Sequence, residues 1–119
     1  MLLRQGRPTM EARASANDMI SVAEAARLVG ESVTTILRWI SDKHCFAVAT
    51  RGRVWRLPYW QFDVDLLLWI GPVCKALGAT NGWQVLWFLE TPHGGLDGRT
   101  GRLALEQGDV CRVLMVASV

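Results

Sequence analysis

The sequence is poor in several of the residues that would place it in a chemical class. It has one Tyr and two His among 119 residues. Its three cysteines, Cys45, Cys74 and Cys111, stand far apart and form no Cys-x-x-Cys pair. An odd and scattered set supports neither a disulfide framework nor a zinc knuckle, and adjacent His44 and Cys45 are badly spaced for one metal. The thiols read as buried or idle, and no cofactor or metal is implied. Long apolar runs are absent too. The greasiest, Leu66-Leu67-Leu68-Trp69-Ile70, stops at Gly71-Pro72, well short of the roughly 20 residues that cross a bilayer. The start, Met1-Leu2-Leu3-Arg4-Gln5-Gly6-Arg7, lacks the apolar stretch of a secretory signal. A cytoplasmic protein without membrane contact is the expectation.

Catalytic signatures are equally scarce. Gly94-Gly95-Leu96-Asp97-Gly98 is not a GxGxxG cradle, and no GK[ST] follows it. His93 beside Asp97 is the nearest approach to an acid–base pair, but no nucleophile motif such as GxSxG accompanies it. The carboxylates Asp63 and Asp65 read as helix caps. The sequence therefore points away from an enzyme.

What is present is a large apolar fraction and tryptophan. Half the residues are hydrophobic, a fifth are charged and six are Trp, so the chain can bury a core. Rigid, broad indoles belong in that core or at an interface. Net charge is +2 but uneven. Residues 1–60 hold nine Arg and Lys against five Asp and Glu, whereas residues 61–119 hold four against six. A basic front and a mildly acidic rear suggest surfaces for different partners.

Residues 1–17 carry Arg4, Arg7 and Arg13 with little periodicity and read as a flexible arm. Order begins near Ile20. Ser21-Val22-Ala23-Glu24 is a capping box, in which serine and glutamate satisfy each other's free backbone N–H groups. Val22, Ala25, Ala26, Leu28 and Val29 continue as a helical stripe, which Gly30 ends. Ser32 caps a second helix through about Asp42, with Ile36, Trp39 and Ile40 on its buried face. Two short helices about a tight turn make a helix-turn-helix. The strand-like runs 46–50 and 53–57 around Arg51-Gly52 then read as a β-hairpin closed by Pro58.

Residues 59–63, Tyr-Trp-Gln-Phe-Asp, form an aromatic bridge that should be packed. Beyond it, residues 64–78 are helical material broken at Gly71-Pro72. Thr80 or Asn81 caps a helix running from Trp83 to Glu90, Thr100 caps a short helix ending at Gly108, and Asp109 caps a last one. The fold class is thus mostly α with a small β-hairpin wing. A winged helix-turn-helix over residues 18–60 precedes a small helical C-terminal domain over residues 61–119.

In such a motif the second helix enters the major groove with its N-terminal residues against base edges. Val33, Thr34, Thr35, Leu37 and Arg38 lie away from the buried stripe and are the candidate readers. The threonines offer hydroxyls and methyls, and Arg38 suits guanine or phosphate. Arg51 and Arg53 flank the hairpin glycine, while Arg27 and Lys43 are placed to hold phosphates. In the rear half, Trp83 and Trp87 share a helix face. They are either core or, with Leu96 and Arg99, a face for another protein or a second copy.

Ile20 to Ser32 followed by Thr35-Ile36-Leu37-Arg38-Trp39-Ile40 resembles the excisionase/MerR-type helix-turn-helix. Trp83 to Leu89, Thr91-Pro92, Leu96-Asp97-Gly98-Arg99-Thr100, then Leu103, Leu105, Gly108 and Val110 are similar to the toxin-binding domain of Xre/MbcA/ParS-type antitoxins. That pattern usually has Pro where Gly101 stands here. The resemblance implies an antitoxin-like autorepressor that binds double-stranded DNA as a homodimer or larger oligomer and neutralises a partner toxin. The alternatives are an excisionase-like DNA-bending accessory factor and an interaction module without DNA binding.

Overall fold

The structure is a computed structural model that describes residues 9–50, 52 and 54–119. Seven helices and a small sheet follow in chain order among these residues: α1 (Met10–Ala14), β1 (Met19–Ile20), α2 (Val22–Val29), α3 (Val33–Asp42), β2 (Val48–Ala49), β3 (Trp55–Pro58), α4 (Val64–Leu77), α5 (Gly82–Glu90), α6 (Gly101–Glu106) and α7 (Val110–Ala117). Short 3₁₀ turns at Tyr59–Phe62 and Gly94–Leu96 complete it. The mostly helical class with a β-hairpin is as the sequence predicts.

The hairpin pairs β2 with β3 antiparallel, Val48 opposite Arg56 and Ala49 opposite Trp55. A third strand, β1, adds to the other edge of β3, with Ile20 opposite Leu57, giving the order β1-β3-β2. At two residues, β1 is too short to show a period of two in the sequence.

Residues 45–48 show how this sheet is used. All four are buried, but they alternate between two apolar clusters. Cys45 and Ala47 join Ala25, Ala26, Ile36 and Leu57 beneath the two front helices. Phe46 and Val48 join Leu66, Ile70, Leu86, Leu89 and Leu105 of the rear helices. Successive side chains of an extended segment point to opposite faces. This segment is covered on both, which is why it reads as a continuous apolar run. The front and rear of the chain thus share one stretch of backbone. Gly82, opening α5, comes so close to it that a Cβ there would lie 1.9 Å from the Ala47 carbonyl oxygen.

The aromatic bridge is packed at its centre, while Tyr59 at its start is exposed. Trp60 is buried, and the fully buried Gln61 acts as a substitute strand partner for Phe46. Its Oε1 accepts from the Phe46 N–H at 2.8 Å, and its Nε2 donates to the carbonyls of Phe46 at 2.8 Å and Pro58 at 3.2 Å.

Three expectations are corrected. The described part of the N-terminal arm is ordered: Thr9 caps α1, and Arg13 is buried. Its guanidinium donates to Asp18 at 2.7 and 2.8 Å, to Glu90 Oε1 at 2.9 Å, and from Nη2 to Glu90 Oε2. Arg13 thereby ties the N-terminal segment to α5. Arg4 and Arg7 lie outside the described residues.

Second, α4 runs unbroken through Pro72. A proline inside a helix removes one hydrogen bond to the residue four before it. Here Pro72 and Leu68 are both exposed, while Ile70, Val73 and Cys74 keep the two halves docked on the core.

Third, Asp109 stands at the start of α7 without a side-chain capping bond. Its carboxylate is taken by Arg99 at 2.7 Å. Ser21, Ser32, Asp63 and Thr100 cap as predicted, whereas Asp65 lies inside the first turn of α4 and donates its N–H to Asp63 at 3.1 Å. Asn81, rather than Thr80, opens α5, in a capping box with Gln84.

Candidate nucleic-acid interface

The front module is built by local chemistry. Ser21 and Glu24 close their capping box at 3.0 and 2.8 Å. These bonds favour the charged carboxylate, so the Glu24 acid lies below its ordinary range, with Arg27 and Arg56 adding weaker attraction. Gly30 ends α2 at φ +74°, a left-handed conformation that glycine adopts without strain. The Glu31 N–H then returns to the Ala26 carbonyl at 2.9 Å. Ser32 accepts from the Thr35 N–H at 3.1 Å and opens α3.

This turn sets the rotation of α3 about its own axis. Ile36 is fully buried against α2, and Trp39 and Ile40 are half-buried behind it. The opposite face is open. Val33 is 45% exposed and Leu37 43%, and Thr34 and Arg38 are exposed beside them. Four of the five predicted readers therefore share one outward surface over the first turns of α3. Thr35 is the exception. It is half-buried and its hydroxyl lies 3.0 Å from the Ser32 hydroxyl, so it belongs to the cap.

The predicted phosphate contacts separate. Arg27 is exposed in the last turn of α2. Lys43 sits at the far end of α3, as its C-cap at φ +65°. There it flanks Gly71 and Cys74 of α4, away from the face formed by residues 33–38. Arg51 and Arg53 lie outside the described residues. The described hairpin instead shows exposed Val54 and Trp55, which the charge pattern does not reveal. Arg56 is occupied, donating to the carbonyls of Ala14 at 3.3 Å and Met19 at 3.1 Å.

The predicted partner face in the rear half is smaller than the spacing suggested. Trp83 and Trp87 stack with centroids 5.5 Å apart and are half-buried. Leu96 is fully buried and cannot meet a partner, because the Gly94–Leu96 turn points it into the core. Arg99 is turned inward on its own loop. It donates to the Leu96 carbonyl at 2.8 Å, to Gln107 at 2.9 Å and to Asp109. His93 and Asp97 are engaged elsewhere: the imidazole Nε2 is 2.9 Å from the Phe88 carbonyl oxygen, and the carboxylate takes Arg112 at 2.9 Å.

The model of a helix-turn-helix domain family matches residues 19–63, from β1 to the turn before α4. Residues 19–63 form a helix-turn-helix domain. No curated protein and no solved structure matches the chain. The matched segment ends before α4 and does not reach the residues that resemble an antitoxin domain. No helix among the described residues is long and apolar enough to cross a membrane.

Proposed function

We propose that this protein binds double-stranded DNA sequence-specifically through the first turns of α3 and acts as a transcriptional regulator of its own promoter. The observation that carries this reading is the rotation of α3, with Ile36 wholly buried and Val33, Thr34, Leu37 and Arg38 outward. A helix fits the major groove, where polar and methyl groups on one face discriminate base pairs. Action is by stoichiometric binding, without catalysis or cofactor. Self-association would place two such helices on half-sites about 34 Å apart. Footprinting on the DNA upstream of the gene tests the reading: one protected inverted repeat supports it, and uniform or absent protection overturns it.

A second reading is a DNA-bending accessory factor of the excisionase kind. It is consistent with the family match over the helix-turn-helix domain. Phased direct repeats in the same footprint would select it. A toxin partner is the finest part of the proposal and rests on the residues from Trp83 to Val110. Co-expression with the adjacent gene product tests that part separately: rescue of growth supports it, and undiminished toxicity removes it.

A further inference from the structure

A cavity of about 230 Å³ lies where the helix-turn-helix domain meets the rear helices. Its walls come from both parts of the chain: the end of α3 at Lys43, the shared stretch 45–47 with β2 at Ala49, β3 at Trp55, α4 at Cys74, and α5 at Trp83 and Val85. It plays no part in the DNA-facing surface, which lies on the other end and face of α3. Ligand sites are mostly apolar concavities with a few placed polar groups, and they favour such junctions. This one is lined by two indoles, aliphatic and thiol groups, and Lys43 as its one charged lining group among the described residues. No ion pair engages Lys43 among those residues. Its ammonium is close enough to Cys74 to oppose the upward push of burial on that thiol.

Size and charge set the class of ligand. An apolar cavity of about 150 Å³ admits benzene, so the larger space here takes up to a bicyclic aromatic ring. Flat π-faces suit the indoles, and an ammonium with no ion pair among the described residues and no carboxylate beside it in the lining selects an anion. We propose that this cavity binds a small aromatic carboxylate, its ring between Trp55 and Trp83 and its carboxylate on Lys43. The inference stands apart from the DNA-binding reading, because its test contains no DNA.

The test titrates the full chain with 2-naphthoate and with the neutral 2-naphthalenemethanol, following the indole N–H signals by ¹⁵N NMR, with Trp→Phe variants for assignment. Both probes should saturate at millimolar concentration and shift the Trp55 and Trp83 signals. Naphthoate should bind tighter by about threefold or more, as fits a solvent-accessible ion pair. Lys43→Gln should abolish that preference and keep ring binding. Ala49→Trp or Ala79→Phe, at half-buried lining positions, should block both probes, with circular dichroism confirming the fold. Absence of saturable binding, equal affinity for the two probes in the unaltered chain, a preference that survives Lys43→Gln, or shifts confined to other indoles would each overturn the proposal.

Discussion

Replacing Arg13 by leucine is the most informative single perturbation of the fold. The side chain keeps aliphatic bulk but loses every donor to Asp18 and Glu90. Removing one partner from a fully buried ion pair costs about 3–5 kcal/mol, chiefly through the charges left behind. Here Arg13 keeps 10% of its side-chain surface in water, and Asp18 and Glu90 keep 26% and 27%. That access lowers the expected cost to about 2–4 kcal/mol at neutral pH. The pH dependence identifies the mechanism. Burial pushes the Asp18 acid upward, but hydrogen bonds from Arg13 and Trp60 outweigh it and hold the group below its ordinary value of 3.8. A group depressed in the folded state stabilises at pH above its unfolded value and loses that contribution as pH falls through the folded one. Urea unfolding of both proteins at pH 7 and near pH 3 checks this. The cost of Arg13→Leu should shrink on acidification. A cost below about 1 kcal/mol, or one equal at both pH values, would refute the reasoning.

Three further outcomes follow from the shared strand. Gln61→Leu should orphan the Phe46 N–H and carbonyl and destabilise by about 1–3 kcal/mol for each group left unpaired, whereas Gln61→Glu at low pH, able to accept but with a single donor, should recover part of this by the same urea assay. Gly82→Ala should cost about 3 kcal/mol by overpacking, since its Cβ meets the Ala47 backbone; an unchanged melting temperature would contradict the close approach. Under native conditions a maleimide should label Cys111 alone, as the exposed thiol. Burial pushes the Cys45 thiol up to about 12, with the neighbouring Cys74 adding to the effect, and raises Cys74 as well. Mass spectrometry reporting rapid double labelling would count against that packing.

The front of the molecule was legible in the sequence because its determinants are local. Ser21 with Glu24, Gly30, and Ser32 each act within a few residues, and their hydrogen bonds are those that the spacing dictates. The outward face of α3 follows from the same spacing, since Ile36, Trp39 and Ile40 fix which side is buried. Distant pairings left no local trace. Arg13 meets Glu90 across 77 positions, so a polar N-terminal stretch looked free. Leu96 and Arg99 sit in a glycine-rich loop whose inward turn depends on Asp109 and Gln107. Pro72 reads as a break, but its helix face is exposed and the opposite face is docked on the core, so α4 continues. Gln61 gave no signal because a polar residue standing in for a strand partner is visible only once Phe46 is placed.

The central claim is that α3 reads DNA with its exposed first turns. Its most direct test is fluorescence anisotropy on a duplex selected from a random library, across a range of salt concentrations, for the unaltered chain and for Arg38→Ala. The account predicts tight binding whose log affinity falls linearly with log salt. It also predicts a loss of roughly 1–3 kcal/mol in Arg38→Ala, concentrated on the selected sequence over a scrambled one. Selection that yields no consensus, or equal binding by the variant to both duplexes at unaltered strength, would contradict it.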